Sequence, residues 1–151
     1  MANVQRKGSL LSFRPDIKVL DATLRDGGLC NNFEFTDEFA KALFQMNVAA
    51  GVDYMEMGYK ASKALFDPSK FGKYKFCEEK DLRAIVGENK TGMKLSVMAD
   101  VGRTDFKKDI GPKNESVIDM VRIACYINEI PAAIEMAEYC KKLGYETCVN
   151  V

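Results

Sequence analysis

The sequence predicts an α/β fold, a partial TIM (β/α) barrel made of about the first five parallel strands with intervening helices. Three observations carry this expectation. Short runs rich in β-branched and aliphatic residues alternate with segments of helical period. Strand starts at Ile17, Asp53, Lys94, Ile118 and Glu146 are spaced by about 32 residues, against about 31 per unit in an eight-unit barrel. The chain also stops on its fifth strand, whereas a finished five-strand doubly wound sheet needs a helix after it. The expectation is therefore the N-terminal part of a longer barrel over residues 17–151.

Taken in order, residues 1–16 carry no sustained period, and Pro15 suggests an irregular N-terminal arm. IKVLDATL (17–24) is short, aliphatic and bounded by glycine, as a buried strand should be. Thr36 is placed to cap a helix whose first turn holds Asp37 and Glu38. Phe39, Leu43, Met46 and Ala50 line one face of that helix, and Gly51 closes it. VDYMEMGY (52–59), MKLSVMAD (93–100), SVIDMVRIAC (116–125) and YETCVNV (145–151) read as the next strands. Helices are expected within 76–90 and over 129–144, the latter with Ile130, Ala133, Ile134, Ala137 and Cys140 on one side. The RTDFKKDIGPKNES connection is only weakly helical. Ending on the fifth strand would leave strands 1 and 5 as unpaired edges, so self-association is expected, with the C-terminal half of the barrel as the missing partner.

Composition narrows the function. With 47% hydrophobic residues the chain can bury a core as one unit. Its 22 basic and 22 acidic residues cancel without a basic run, which gives no footprint for nucleic acid or an anionic membrane. No segment approaches the ~20 apolar residues of a membrane span, and the start is too short in apolar residues for a signal peptide. Cys30, Cys77, Cys125, Cys140 and Cys148, odd in number and without a CxxC pair, read as reduced, buried thiols of a cytoplasmic protein. There is no histidine, which excludes a His-centred triad or a HExxH zinc site within these residues.

Chemistry in parallel α/β folds collects at the carboxyl ends of the strands. DATLRDGG puts Arg25 and Asp26 there, and Gly27 and Gly28 are expected to form a hinge or turn that lets both converge. Glu56 lies in an otherwise apolar strand, where an acid needs a cation or a metal, and Arg25 is the nearest candidate. The plainer reading stays open: a tight βα turn with Asp26 capping amides and Glu56 pointing outward. The segment 61–76, with Phe66, Phe71, Tyr74 and Phe76, is either an active-site lid or packing against the barrel wall. Met55, Met57, Met98 and Met120 are most simply core; Asp100, after the third strand, and Arg122, within the fourth, either face the mouth or form ordinary ion pairs, the second being the more economical reading.

DATLRDGG at the end of a first strand, with an acid in YMEMGY about thirty residues later, resembles the Asp-Arg-Glu TIM-barrel metallolyases. That family includes 3-hydroxy-3-methylglutaryl-CoA lyase, 4-hydroxy-2-oxovalerate aldolase, and the isopropylmalate and homocitrate synthases. The resemblance implies a carbon–carbon lyase acting on a hydroxy or oxo acid or its CoA thioester by retro-aldol or retro-Claisen cleavage. It implies Asp26 as a ligand of Mg²⁺ or Mn²⁺, with Arg25 stabilising an enolate, Glu56 orienting Arg25, and Asn31 and Asn32 as a possible substrate loop. The family's remaining metal ligands, a histidine pair, fall beyond Val151, so residues 1–151 alone are expected to be inactive. The aldolase branch carries a histidine three positions after the metal aspartate, where this sequence has Leu29. The alternatives are an acyl-transferring synthase of the same family and a non-catalytic half-barrel used for interaction.

Overall fold

A computed structural model describes residues 16–151. The expected N-terminal arm lies outside the described residues except for Asp16. The strands β1 (Leu20–Asp21), β2 (Tyr54–Tyr59), β3 (Lys94–Asp100), β4 (Met120–Ala124) and β5 (Glu146–Asn150) form one sheet. All its pairings are parallel and its order is β1-β2-β3-β4-β5. A doubly wound sheet reverses direction at a switch point. Here each new strand is laid beside its predecessor, as in a barrel, so the expected partial TIM barrel is the observed fold.

The helices are α1 (Thr23–Asn31), α2 (Asp37–Ala50), α3 (Glu79–Val86), the single turn α4 (Phe106–Asp109) and α5 (Ile130–Lys142). Between helices and sheet lies a core that includes Leu24, Met55, Met57, Leu95, Val97, Ile123 and Met136, all essentially inaccessible. Burying each contributes about 1.5–3 kcal/mol. Strand alternation sends the other residues to the concave face, and that face is polar. Tyr54, Lys94 and Glu146 are joined there by hydrogen bonds at the amino ends of the strands, and Glu56, Ser96 and Arg122 form the next layer.

The first strand and its glycines differ from expectation. Strand pairing ends at Asp21, and α1 begins at Thr23, so Arg25, Asp26, Gly27 and Gly28 all lie inside a helix. Gly27 and Gly28 are not a hinge, and neither has a positive φ. What requires Gly28 is proximity: a Cβ there would stand 2.1 Å from Cδ1 of the buried Phe33. Gly27 has room, its nearest neighbour being the Phe35 ring at 3.4 Å. The chain reverses only at Asn32 and Phe33, with φ of 54° and 64°.

The α2 stripe is also rotated from the expected one. Thr36 caps the helix by accepting from the Phe39 amide at 3.2 Å, and Gly51 closes it with φ 73°, as anticipated. The buried positions, however, are Ala40, Phe44 and Asn47, while Phe39 is 45% and Met46 67% exposed. Asn47 turns inward because its amide donates to the Asp21 carboxylate at 2.9 Å, a polar contact invisible to an apolar-periodicity argument. On α5 the buried residues are Ala133, Met136 and Cys140, and Ile134 faces out.

Candidate active site

Leu24 anchors α1 in the core, and this brings the next residue, Arg25, over the end of β2. Its Nε donates to Oε2 of Glu56 at 2.9 Å. Arg122, from β4, donates to the same oxygen at 2.8 Å, and the Ser96 hydroxyl reaches Oε1 at 3.4 Å. Glu56 is 0% exposed. A carboxylate so placed needs compensating charge, and two guanidiniums from different strand units provide it. Burial works against the charge on Arg25, but the hydrogen bond and field of Glu56 outweigh it and hold its proton affinity above the ordinary value.

The other guanidinium nitrogen of Arg25 pairs with Asp26, whose side chain is 59% exposed. Arg25 thus spans a buried anion and an open one. Its charged carbon also lies 6.0 Å from the centroid of the Tyr59 ring, at the end of β2. Burial raises the Tyr59 phenol, and the nearby Asp100 adds to this. Asp100 closes β3; burial raises its carboxyl, its nearest cation is Arg103 at 3.8 Å, and its Oδ1 is buried without a hydrogen-bond partner. Beside it, Arg103, Cys125, Tyr126 and Glu129 help line a cavity of about 230 Å³ at the carboxyl ends of β3 and β4.

The structure therefore brings Arg25, Asp26 and Glu56 together, as expected. It adds Ser96, which lies opposite Glu56 in the register, and Arg122, which lies opposite Met98, two residues further along the sheet, and reaches back to Glu56. The ion-pair reading of Arg122 was right, with its partner inside the barrel. Asn31 and Asn32 serve the end of α1. The Asn31 side chain accepts from the Phe33 amide and donates to the Glu34 carbonyl, and Asn32 is the left-handed cap. Phe66 and Phe71 pack edge to face, and Tyr74 and Phe76 are buried, so the long loop is built as packing. Among the cysteines, Cys77 and Cys140 are buried, with burial pushing their thiols up to about 12 and about 11; Cys30 and Cys148 are exposed, contrary to expectation.

For a metal, Asp26 offers a hard carboxylate oxygen of the kind Mg²⁺ and Mn²⁺ prefer. The described residues contain no group of three or more His, Cys, Asp or Glu able to hold an ion. No helix among them is long and apolar enough to cross a membrane.

A parallel sheet wound in chain order, with helices between its strands, has the form of the N-terminal portion of an aldolase-type barrel. Particular proteins match it. Over 139 residues the chain is 25% identical to 4-hydroxy-2-oxovalerate aldolase 6 of Rhodococcus jostii (strain RHA1), covering 89% of this chain and 37% of that protein. The crystal structure of the N-terminal domain of a protein assigned as an aldolase from Bacteroides vulgatus superposes with a TM-score of 0.69 and 28% identity, over 89% of this chain and 44% of that one. No family model matches. The chain spans less than half the length of either relative, and its similarity is to the aldolases among the metallolyases that DATLRDGG and YMEMGY suggested.

Proposed function

We propose that residues 17–151 are the N-terminal part of a divalent-metal-dependent carbon–carbon lyase that cleaves a hydroxy-oxo acid by a retro-aldol reaction. The observation that supports this most is the Arg25 guanidinium, fixed on one side by a fully buried carboxylate and paired on the other with the exposed Asp26. In the cleavage, the electron pair of the breaking C–C bond passes into an enolate while the hydroxyl proton departs. A preorganised guanidinium is suited to meet that oxyanion, and one such donor is worth about 3–4 kcal/mol of barrier. Glu56 acts by holding Arg25 in place. Asp26 is the proposed ligand of a Mg²⁺ or Mn²⁺ completed by groups outside these residues. When bound, that ion would supply Lewis-acid polarisation of the substrate carbonyl.

The aldolase reading is favoured over a CoA-thioester lyase or a synthase by the relative's name. Leu29 has no basic atom, so the residue that receives the hydroxyl proton is a different one. The test is pyruvate release from 4-hydroxy-2-oxovalerate, and separately acetoacetate release from 3-hydroxy-3-methylglutaryl-CoA, by the gene product carrying these residues. Cleavage of the first supports the proposal. Cleavage of the thioester alone, or of neither, rejects it.

A further inference from the structure

Among the described residues, two charged side chains are more than nine-tenths buried: Glu56 and Lys75. Glu56 has two guanidiniums. Lys75, 7% exposed, sits in the turn Lys73–Lys75, and no hydrogen bond or ion pair reaches its Nζ. What surrounds it is aromatic. Nζ lies 4.4 Å from the Phe66 ring centroid, 4.7 Å from Tyr59, 5.1 Å from Phe33 and 5.6 Å from Phe71. Ring faces attract an ammonium, but they leave its N–H donors without the oxygen acceptors that a buried cation requires.

The cage is drawn from three places, the turn after α1, the end of β2, and the long loop, and it shares the Tyr59 ring with Arg25. The charged groups that bear on Lys75 are Asp100 of β3, which favours its charge, and Arg103, which opposes it; burial is the larger effect and lowers its proton affinity. Asp100 stops short of an ion pair with Lys75 and keeps a buried oxygen unpartnered. An unspent donor and an unspent acceptor thus share the mouth where the chemistry is proposed.

We propose that Lys75 is a substrate-carboxylate site, an ammonium held by four rings to receive a short 2-oxo or 2-hydroxy monocarboxylate. A carboxylate completes the charge and accepts the free N–H donors; a thioester carbonyl does only the second. This rests on the proposed function solely in the choice of substrate class.

Ligand-induced thermal shifts of the chain test it, with sodium lactate and pyruvate as probes, against lactamide in sodium chloride of matched ionic strength. The acids should raise the wild-type melting temperature and lactamide should not. In Lys75→Met, which fills the cage without a charge, the acid shift should vanish while the unliganded protein melts at or above the wild type. An acid shift that is absent in the wild type, or retained in a Lys75→Met protein that melts lower, would mean that the lysine is a structural staple, and the proposal fails. If Lys75→Met does not fold, the Lys75 ε-carbon resonance of ¹³C-lysine-labelled wild type decides: it must move with lactate and not with lactamide. None of these readouts needs turnover, so carboxylate binding without C–C cleavage would reject the proposed lyase and leave this site standing.

Discussion

Glu56 concentrates the electrostatics of the mouth, since Arg25 and Arg122 converge on one of its oxygens and Ser96 on the other. Glu56→Gln would leave two guanidiniums without their buried counter-charge, a loss of about 3–5 kcal/mol by analogy with broken buried pairs. Denaturant titration should show it. Arg122→Met should cost less, because Arg25 still neutralises the carboxylate; equal losses would contradict the shared-anion arrangement. Arg25→Lys keeps the charge but not the planar fork, and in the active gene product kcat should fall by about 10²–10³. Asp100 predicts a pH effect. Burial raises its carboxyl above the ordinary value of 3.8, so the folded state retains a proton that the unfolded chain has released. Stability from this group is complete below that ordinary value and is lost as pH rises through the raised one. Asp100→Asn removes the loss, so its stability relative to wild type should improve as pH rises above the ordinary carboxyl value of 3.8. A difference independent of pH would rule this out.

At the scale of elements, α1 is where reading and structure diverge most instructively. Two adjacent glycines after a short aliphatic run favour a bend on local grounds, yet the helix runs through them because Leu24 is anchored and Phe33 packs against Gly28. Alanine separates these accounts. Gly27→Ala should stabilise by roughly 0.5–1 kcal/mol, the helix-interior gain, whereas Gly28→Ala should destabilise by about 1–3 kcal/mol through overpacking on Phe33. Destabilisation by both would restore the hinge. The strands, the Thr36 cap and the Gly51 stop were legible because they depend on local pattern and capping chemistry. Glu56 was legible because a charge in an apolar strand requires an explanation, and Arg25 because it is the nearest cation in sequence to supply one, although it sits in α1 and not at a strand end. The inward turn of Asn47, the partner of Arg122 and the cage of Lys75 were not, since these come from Asp21, Glu56 and four distant rings, which only register and loop packing bring near.

For the whole molecule, the sheet order decides between two folds of similar length and alternation, and it also leaves β1 and β5 as the outer strands. The concave face carries a polar cluster built on Tyr54, Lys94, Glu146, Glu56 and Arg122. Association should therefore proceed through the β5 edge, where Val149 is exposed, and not through a greasy concave face. Sedimentation at increasing concentration should give a mass above the monomer, and a lysine placed at Val149 should reduce it; a strictly monomeric wild type would contradict this. The proposed lyase makes the mouth of this half-barrel part of a metal-assisted site. Its most direct test is kcat/KM for pyruvate release from 4-hydroxy-2-oxovalerate at saturating Mn²⁺, in the gene product and in its Asp26→Asn variant. The variant should fall by about 10³-fold, the several kcal/mol that a Lewis acid supplies; equal rates would reject the metal role of Asp26.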